Sequence, residues 1–365
     1  MIICLVACQN QGGEQKPALA ATAIEHETKF GNEYIKITIE DFNALGFEYG
    51  DSLNITFSNG FELKDLPYYN GFYVDMGEPL LVGYLGYPYI RVGYNNGEDM
   101  FVKAELSDTD TATIELAAKA KYIDIQESMD IHYSDEQGDR PDAVFANFRV
   151  VNVGNLKQNI LYRSASPADN QHKRAAVTDR LAEETGIAFI INLSDNEEEL
   201  EEHIAADDFD SPYFLSLYNN GKVIPLSMNM AFESEVFAQK LVAGLTAASK
   251  EEGPYLVHCV EGKDRTGFVC MVMEALAGAT YEEMVADYMV TYDNYYGINQ
   301  TKEPTKYRII KERNIDVMLK YLAGFGEREL ASADYEYCAR TYLLSIGMTE
   351  SDIDALTARL VGDPT

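Results

Sequence analysis

Apolar and polar residues alternate in short stretches between about residue 31 and residue 118. Ile35–Ile39 has apolar residues at every second position, and Leu53–Phe57 repeats the pattern, which is typical of strands with one buried face. Asn59-Gly60 and Asn96-Gly97 favour tight turns. Further strands are predicted at Leu80–Leu85, Tyr89–Tyr94, Met100–Glu105 and Thr111–Leu116. Short strands at this spacing predict a small all-β, barrel-like domain.

From about residue 155 onward, short apolar stretches alternate with amphipathic ones. The apolar stretches predict strands at Ile160–Tyr162, Ala188–Leu193, Val223–Leu226 and Pro254–His258. Helices are predicted at Gln171–Thr185, from Glu197, at Glu233–Ser249 and at Thr266–Ala279. Thr280 with Glu283 forms a capping box for the next helix, and Thr349 starts the last one. This alternation predicts an α/β fold with a central, mainly parallel sheet.

The chain of 365 residues is long enough for two domains. We predict a signal and tether at residues 1–24, a β-barrel-like domain at 25–125 and an α/β domain at 126–365. The formal net charge of −31 excludes nucleic acid and anionic membrane surfaces as partners, since both attract clustered Lys and Arg. The five cysteines show no CxxC pair and no zinc-like spacing, so we predict neither a disulfide framework nor a metal site.

The first residues of the chain form an apolar run that ends in Leu5-Val6-Ala7-Cys8. This resembles a bacterial lipobox, and the polar Gln9–Pro17 segment that follows is typical of a tether. It predicts lipidation at Cys8 and a location outside the cytoplasm, anchored to the cell membrane or otherwise secreted. A chance apolar N-terminus is the alternative, because the run is short and no basic residue precedes it.

The segment His258–Gly267 carries the strongest chemical signal, because Cys259 is followed by five residues and then by Arg265. The backbone of the intervening residues can wrap around an anion, and a helix that starts near Thr266 directs its positive end to the same place. That field and Arg265 favour the thiolate of Cys259. The predicted phosphate-binding positions in this segment are Val260, Glu261, Gly262, Lys263 and Gly267.

Other residues of this segment have more specific predicted roles. The Arg265 guanidinium can grip two phosphoryl oxygens, and the Thr266 hydroxyl is predicted to donate to Cys259. His258 is predicted to orient the loop. A buried structural cysteine before a core helix is the alternative for Cys259, and it is the reading we adopt for Cys270 and Cys338.

His258–Gly267 resembles the signature His-Cys-x-x-Gly-Lys-Asp-Arg-Thr-Gly of the bacterial tyrosine/serine protein phosphatase family. Leu161–Pro167, Ala286–Met289 and Tyr342–Thr349 resemble further segments of the family, so the resemblance extends over about 150–365. It implies a cysteine-phosphatase sandwich, a cysteinyl-phosphate intermediate, and neither metal nor cofactor. Separately, Tyr49–Leu53, Leu66–Val74 and the predicted strands that follow resemble the C-terminal β-barrel domain of SAM-hydroxide adenosyltransferases, a likeness that carries no activity.

The reaction needs an acid that protonates the leaving group. Asp195 follows a predicted buried strand and is the first candidate; Asp264 is its rival, and Asp208 and Asp210 are further candidates. Asp195 could instead cap the acidic helix that follows it. Arg163 could contact the phosphate or only anchor the sheet.

The substrate class stays open at this stage. Lys263 adds a second positive charge to the loop, which raises phosphoinositides or inositol polyphosphates besides phosphotyrosine and phosphoserine or phosphothreonine proteins, unless Lys263 points to solvent. A catalytically idle surface module that binds phosphate is an alternative class of protein. Sulfur transfer is a third, disfavoured by the five-residue spacing before Arg265.

Overall fold

A computed structural model describes residues 16–326 and 329–361. The chain divides into two compact units, Met1–Ile131 and His132–Thr365, whereas the predicted boundary lay at residue 125. The proposed lipidation site, Cys8, lies outside the described residues. None of the helices in the described residues is both long and apolar enough to cross a membrane.

The first unit is built around a closed barrel with the strand order β1-β2-β6-β5-β4-β3-β7. Neighbouring strands are antiparallel, apart from the parallel pair β4 and β5. The elements are β1 (Ala18–Glu27), β2 (Asn32–Ile35), α1 (Ile39–Ala44), β3 (Ser52–Phe57), β4 (Glu62–Tyr69), β5 (Pro79–Val82), β6 (Ile90–Tyr94), α2 (Met100–Lys103), β7 (Thr111–Ala118) and α3 (Ile123–Met129).

Three predictions for this unit are wrong. Strand β1 starts at Ala18, inside the stretch that we assigned to the tether. The predicted strand Ile35–Ile39 ends at its first residue, because the Thr38 side chain accepts from the Asp41 amide and starts α1. In place of the predicted strand Met100–Glu105, Met100–Lys103 forms the helix α2, since the Asp99 side chain accepts from the Val102 amide.

The second unit has a five-stranded sheet in the order β11-β10-β12-β9-β8. Its elements are α4 (Asp142–Phe145), β8 (Arg149–Val150), β9 (Leu161–Ser164), α5 (Ala175–Thr185), β10 (Phe189–Asn192), α6 (Glu197–Ala205), α7 (Pro212–Asn219), β11 (Val223–Pro225), α8 (Glu235–Lys250), β12 (Tyr255–His258), α9 (Asp264–Leu276), α10 (Tyr281–Tyr296), α11 (Pro304–Arg313), α12 (Ile315–Ala323), α13 (Tyr335–Ser345) and α14 (Glu350–Leu360). The mixed α/β architecture is confirmed.

The sheet is mainly parallel. Strand β10 is parallel to β11 and β12, and β12 is parallel to β9, whereas β8 pairs with β9 in the antiparallel direction. In the parallel part, His258 pairs with Asn192 on one side and with Ser164 on the other. All residues of β9, β10 and β12 are buried, as expected for strands covered on both faces. The carboxyl ends of these strands therefore meet at one edge, where sites of α/β folds form.

Candidate active site

The loop Cys259–Lys263 connects β12 to α9 at this edge of the sheet. Gly262 has a φ angle of +67°, in the left-handed region that favours glycine. A Cβ atom at Gly262 would lie 2.1 Å from the carbonyl oxygen of Ser164. The loop therefore packs its backbone against the end of β9, and a side chain at this position would push it out of place.

The carbonyl oxygens of the loop bind donors on its outer side. Val260 O accepts from the Ser166 amide at 3.0 Å, Glu261 O from the Tyr295 hydroxyl at 2.6 Å, and Gly262 O from Arg163 Nη2 at 3.0 Å. A trans peptide directs the next N–H the opposite way. The amides of residues 260–265 have no hydrogen-bond acceptor in the part of the chain that the structure describes. Such free amides in one loop form a nest for an anion.

A buried ionic cluster holds the loop from outside. Arg163, 1% exposed, donates to the carbonyls of Gly262 and Lys263 and forms a 2.6 Å ion pair with Asp287. Arg149, its partner across β8 and β9, also binds Asp287, at 3.0 Å. Burial opposes the charged form of Arg163, but the charge of Asp287 raises its pKa above the ordinary value. The structure thus places Arg163 on the loop backbone, where it positions the loop.

Several residues of this cluster were missed by the sequence analysis. Asn147 Nδ2 lies 3.2 Å from Gly262 O, and its Oδ1 accepts from Arg149 at 2.7 Å. Asp287 lies in a segment that resembles the phosphatase family, but no role was assigned to it. Arg163 and Asp287 are 124 residues apart in the chain, so no local sequence pattern indicates that they form a pair.

Cys259 is a free cysteine, 3% exposed, at the start of the loop. Helix α9 begins at Asp264, and its N-cap residue, Lys263, makes no side-chain cap. The positive end of the helix therefore faces the loop uncompensated by a cap. The predicted hydrogen bond from Thr266 to Cys259 is not formed, because Thr266 Oγ1 is buried without a partner among the described residues.

Arg265 binds one backbone carbonyl, that of Met228, through Nη1 at 3.1 Å. The segment containing Met228 is tied to the end of β10 by the amide of Met228, which donates to Leu193 O at 2.8 Å, and by the amide of Ser227, which donates to Asp195 O at 2.9 Å. In the described part of the chain, Arg265 has no carboxylate within ion-pair distance. Its remaining N–H groups are thus available to a ligand.

Asp195 is 5% exposed and held in place by its neighbours. Its Oδ2 accepts from Asn192 Nδ2 at 2.9 Å and from Ser194 Oγ at 2.8 Å, and its Oδ1 lies 3.4 Å from His203 Nε2. The residue that caps α6 is Asn196, so the alternative role of Asp195 as the cap is wrong. Asp195 is therefore a fixed carboxylate beside the loop, since Asn192 pairs with His258.

The rival carboxylates have other partners. Asp264 Oδ1 accepts from the Tyr288 hydroxyl at 3.0 Å, and Oδ2 lies 3.7 Å from Lys263 Nζ. Asp208 is exposed and binds Asn170 at 2.9 Å, and Asp210 is exposed between α6 and α7. The structure therefore brings Asp195 and Asp264 to the loop.

Lys263 does not point to solvent, because its side chain is 17% exposed. Its Nζ lies 3.3 Å from Glu261 Oε2 and 3.7 Å from Asp264 Oδ2, and 3.4 Å from the Tyr296 hydroxyl. Burial disfavours its charge, but Asp264 and Glu261 raise the pKa of Lys263 well above the ordinary value. The charge of Lys263 is thus present and balanced within the loop.

Burial lowers the pKa of His258 from 6.5 to about 4, although the charge of Asp195 opposes the shift. Between these values the unfolded state binds a proton that the native state does not, so the free energy of unfolding is expected to fall as the pH is lowered from 6.5 to 4. Urea unfolding of the wild type and of His258→Asn, measured across this window, checks this. The variant should show a shallower pH dependence, while His132→Asn, at an exposed position, should keep the wild-type slope. Equal pH dependence of the free energy of unfolding for the wild type and His258→Asn would contradict the lowered pKa of His258.

Comparisons with known proteins show the family of the chain. Residues 145–362 match the model of the tyrosine phosphatase family. Because the match covers more than half of the 365 residues, the chain belongs to that family. A tyrosine-protein phosphatase from Nostoc commune is 31% identical over 120 residues, which are 31% of this chain and 41% of that protein. The chain thus spans less than half the length of this relative.

Two solved structures show weaker likeness. The core catalytic domain of the PP-IP phosphatase SIW14 from S. cerevisiae, in complex with citrate, is 19% identical with a TM-score of 0.27, over 49% of this chain and 91% of that chain. An uncharacterized conserved protein from Thermotoga maritima is 17% identical with a TM-score of 0.23, over 31% of this chain and 42% of that chain. At these TM-scores neither likeness defines the fold or the substrate of this chain.

Proposed function

We propose that the chain hydrolyses phosphate monoesters on the scaffold of a cysteine-phosphatase sandwich, with Cys259 as the nucleophile. The observation that carries this proposal is the loop beside Cys259, in which the carbonyls bind outer donors and the amides of residues 260–265 stay free. Free amides, a helix N-terminus and an arginine without a carboxylate partner together suit a phosphoryl dianion. A buried structural cysteine would need none of these features.

The first step transfers the phosphoryl group to the enzyme. The Cys259 thiolate attacks phosphorus, the bond between phosphorus and the ester oxygen breaks, and the leaving oxygen takes a proton from Asp195. In the second step Asp195 accepts a proton from water, the water oxygen attacks phosphorus, and the sulfur–phosphorus bond breaks. The products are inorganic phosphate and the restored thiolate, while Arg265 and the loop amides hold the equatorial oxygens in both steps.

Asp195 suits the role of the acid better than Asp264. Three side chains hold the Asp195 carboxyl group at a strand end next to β12, and positioned groups are the ones that transfer protons efficiently. Asp264 accepts from Tyr288 and faces Lys263, so we assign it to holding the first turn of α9. The two roles, Asp195 as the acid and Asp264 as a support of α9, can be distinguished by mutating each residue.

Asp195→Asn is expected to slow the reaction according to the leaving group. For phenyl phosphate, whose leaving group needs a proton, kcat/KM, which reports the first step alone, should fall by roughly 10²-fold, a typical contribution of a general acid. For p-nitrophenyl phosphate, whose leaving group is stable as an anion, the loss should be much smaller. Steady-state kinetics with both esters checks this, with Asp264→Asn as the matched control. The same loss on both esters, or a larger leaving-group effect in the control, would contradict the role.

We further propose an aryl phosphate, such as a phosphotyrosine side chain, as the substrate class. The support is the charge balance, because Lys263 is paired with Glu261 and Asp264 and Arg163 is paired with Asp287. Among the described residues, Arg265 is then the loop cation without a carboxylate partner, and one such cation matches one phosphate. Phosphoinositides and inositol polyphosphates need further cations for their other phosphates, so these alternatives are disfavoured.

Phosphate release from a panel of esters tests the proposed function. The panel contains a phosphotyrosine peptide, a phosphoserine peptide, a phosphoinositide and an inositol polyphosphate, each without added metal. The expected result is highest kcat/KM on the phosphotyrosine peptide. Preference for an inositol polyphosphate would overturn the substrate class but keep the reaction, whereas a folded protein without turnover on any ester would favour the alternative of a phosphate-binding module.

A further inference from the structure

A pocket of about 390 Å³ lies in the first unit and is lined in part by Phe30, Asn32, Phe72 and Arg91. Arg91 stands between Ile90 and Val92 on β6, and both neighbours are fully buried in the barrel core. Successive side chains of a strand point to opposite faces. The Arg91 side chain therefore lies on the outer face of the barrel, and the pocket is not part of the barrel core.

Arg91, which lines this outer pocket, belongs to a buried ion pair. Arg91 Nη1 lies 3.0 Å from Glu27 Oε2, and the two side chains are 3% and 10% exposed. Glu27 also accepts from Asn32 at 2.8 Å and from the Tyr34 hydroxyl at 2.9 Å. Burial opposes its charge, but these hydrogen bonds and Arg91 lower the pKa of Glu27. A buried ion pair is costly to desolvate, and closing the barrel does not require one.

Arg91 keeps hydrogen-bonding capacity that the described residues do not use. Its Nε is buried without a partner among the described residues. Its Nη2 donates to no acceptor among them either, because both bonds to Glu27 come from Nη1. The Tyr87 ring lies 3.6 Å from the guanidinium carbon and fixes its plane. A fixed guanidinium with free donors in a pocket is a recognition group for a ligand oxygen.

The rest of the pocket combines an amide floor with apolar walls. A Cβ at Gly93 would lie 2.1 Å from Asn32 Oδ1, so the Asn32 amide occupies the space that a side chain on β6 would fill. Phe30 is 56% exposed and Phe72 is 36% exposed. Small-molecule sites have this composition, with aromatic walls and a few placed polar groups.

We propose that this outer pocket binds a neutral sugar ring in its pyranose form. Glu27 balances the charge of Arg91, and the net charge of −31 of the whole chain repels anions, so both observations favour a neutral ligand. Sugar hydroxyls both donate and accept, which matches an amide and a guanidinium that is paired with a carboxylate. The apolar C–H face of a pyranose can stack on the Phe30 ring, on the face opposite Lys29, whose Nζ lies 4.7 Å from the ring centroid.

Saturation-transfer difference NMR on the full chain tests the sugar site. The ligands are the methyl glycosides of glucose, galactose, mannose and N-acetylglucosamine, with ribitol as an acyclic polyol and indole as a flat aromatic ring. At least one glycoside should receive saturation at its ring protons, and Phe30→Ala should weaken its binding by about tenfold, as expected for an aromatic anchor. Tyr337→Ala, also at a 56% exposed aromatic residue, is the matched control and should bind like the wild type.

Three results would overturn the sugar site. The first is that no glycoside receives saturation. The second is that Phe30→Ala binds a glycoside as tightly as the wild type does, and the third is that indole binds in preference to every glycoside. Phe30 is largely exposed and lies outside the phosphatase unit, so Phe30→Ala should leave the fold and phosphate release unchanged. The test is therefore independent of the proposed hydrolysis.

Discussion

Replacing Cys259 with serine is expected to lower kcat for an aryl phosphate by at least roughly 10⁴-fold, the scale on which enzymes lose rate with their nucleophile. The reason is that serine has no base beside it to make an alkoxide: His258 Nδ1 faces the Cys259 carbonyl oxygen at 3.3 Å, and its Nε2 is buried without a partner among the described residues. Binding should survive, because the loop amides, Arg265 and the helix end remain in place.

The matched control for Cys259→Ser is Cys338→Ala, which removes a buried thiol from α13. Its kcat should stay within about twofold of the wild type, since no described contact links it to the loop. Steady-state phosphate release and binding of a non-hydrolysable aryl phosphonate measure the two effects. Turnover by Cys259→Ser near the wild-type rate would exclude Cys259 as the nucleophile.

Arg265→Lys is expected to lower kcat/KM by roughly 10³-fold, in the range that mutagenesis gives for a donor to a developing oxyanion. Lysine keeps the charge but offers a point contact, whereas the planar guanidinium binds two oxygens at once. The bond from Arg265 Nη1 to Met228 O at 3.1 Å also fixes the guanidinium plane. A lysine at this position would lose the bidentate grip and part of this anchor.

Arg308→Lys provides the control for this substitution. Arg308 is 55% exposed on α11, where it pairs with Glu312, and its replacement should leave kcat/KM unchanged. The decisive comparison is between kcat/KM values for one ester, because ground-state binding and transition-state stabilisation both contribute to it. A loss below about tenfold for Arg265→Lys would show that the loop amides stabilise the phosphoryl group without a bidentate arginine.

The loop between β12 and α9 could be predicted from the sequence because all its parts are local. Its chemistry depends on a short segment, His258–Gly267, and the flanking strand and helix are strongly apolar. The helix predicted at Thr266–Ala279 is confirmed as α9, and the burial of every residue from Thr266 to Leu276 shows that it lies in the core.

The supports of the loop could not be predicted, because they depend on contacts distant in the chain. Asn147 reaches Gly262 across 115 residues, and Arg163 reaches Asp287 across 124 residues. The role of Lys263 was equally hidden, since its partners Glu261 and Asp264 are its neighbours in sequence but the fold decides which way they point. The charge of Lys263 suggested a second phosphate contact, whereas the structure pairs Lys263 with Glu261 and Asp264.

The errors in the barrel have a local cause. Asp99 places a capping oxygen before the short apolar stretch Met100–Val102, and Thr38 places one near the end of the predicted strand Ile35–Ile39. Short apolar stretches suit a strand and a single helical turn equally well by periodicity. The side-chain caps of Thr38 and Asp99 stabilise the helices α1 and α2 at these two positions. The polar floor of the outer pocket was also hidden, because Glu27, Asn32 and Arg91 come from three different strands or strand ends.

Acid-quenched mass spectrometry of the reacting enzyme is the most direct test of a cysteinyl-phosphate intermediate in this loop. The wild type should be quenched within the first turnovers of p-nitrophenyl phosphate, digested, and searched for the peptide that contains Cys259. We predict one added phosphoryl group on Cys259, more of it in Asp195→Asn because its hydrolysis is slowed, and none in Cys259→Ser. Turnover without any phosphoryl group on Cys259, or a phosphoryl group on another residue, would contradict the mechanism.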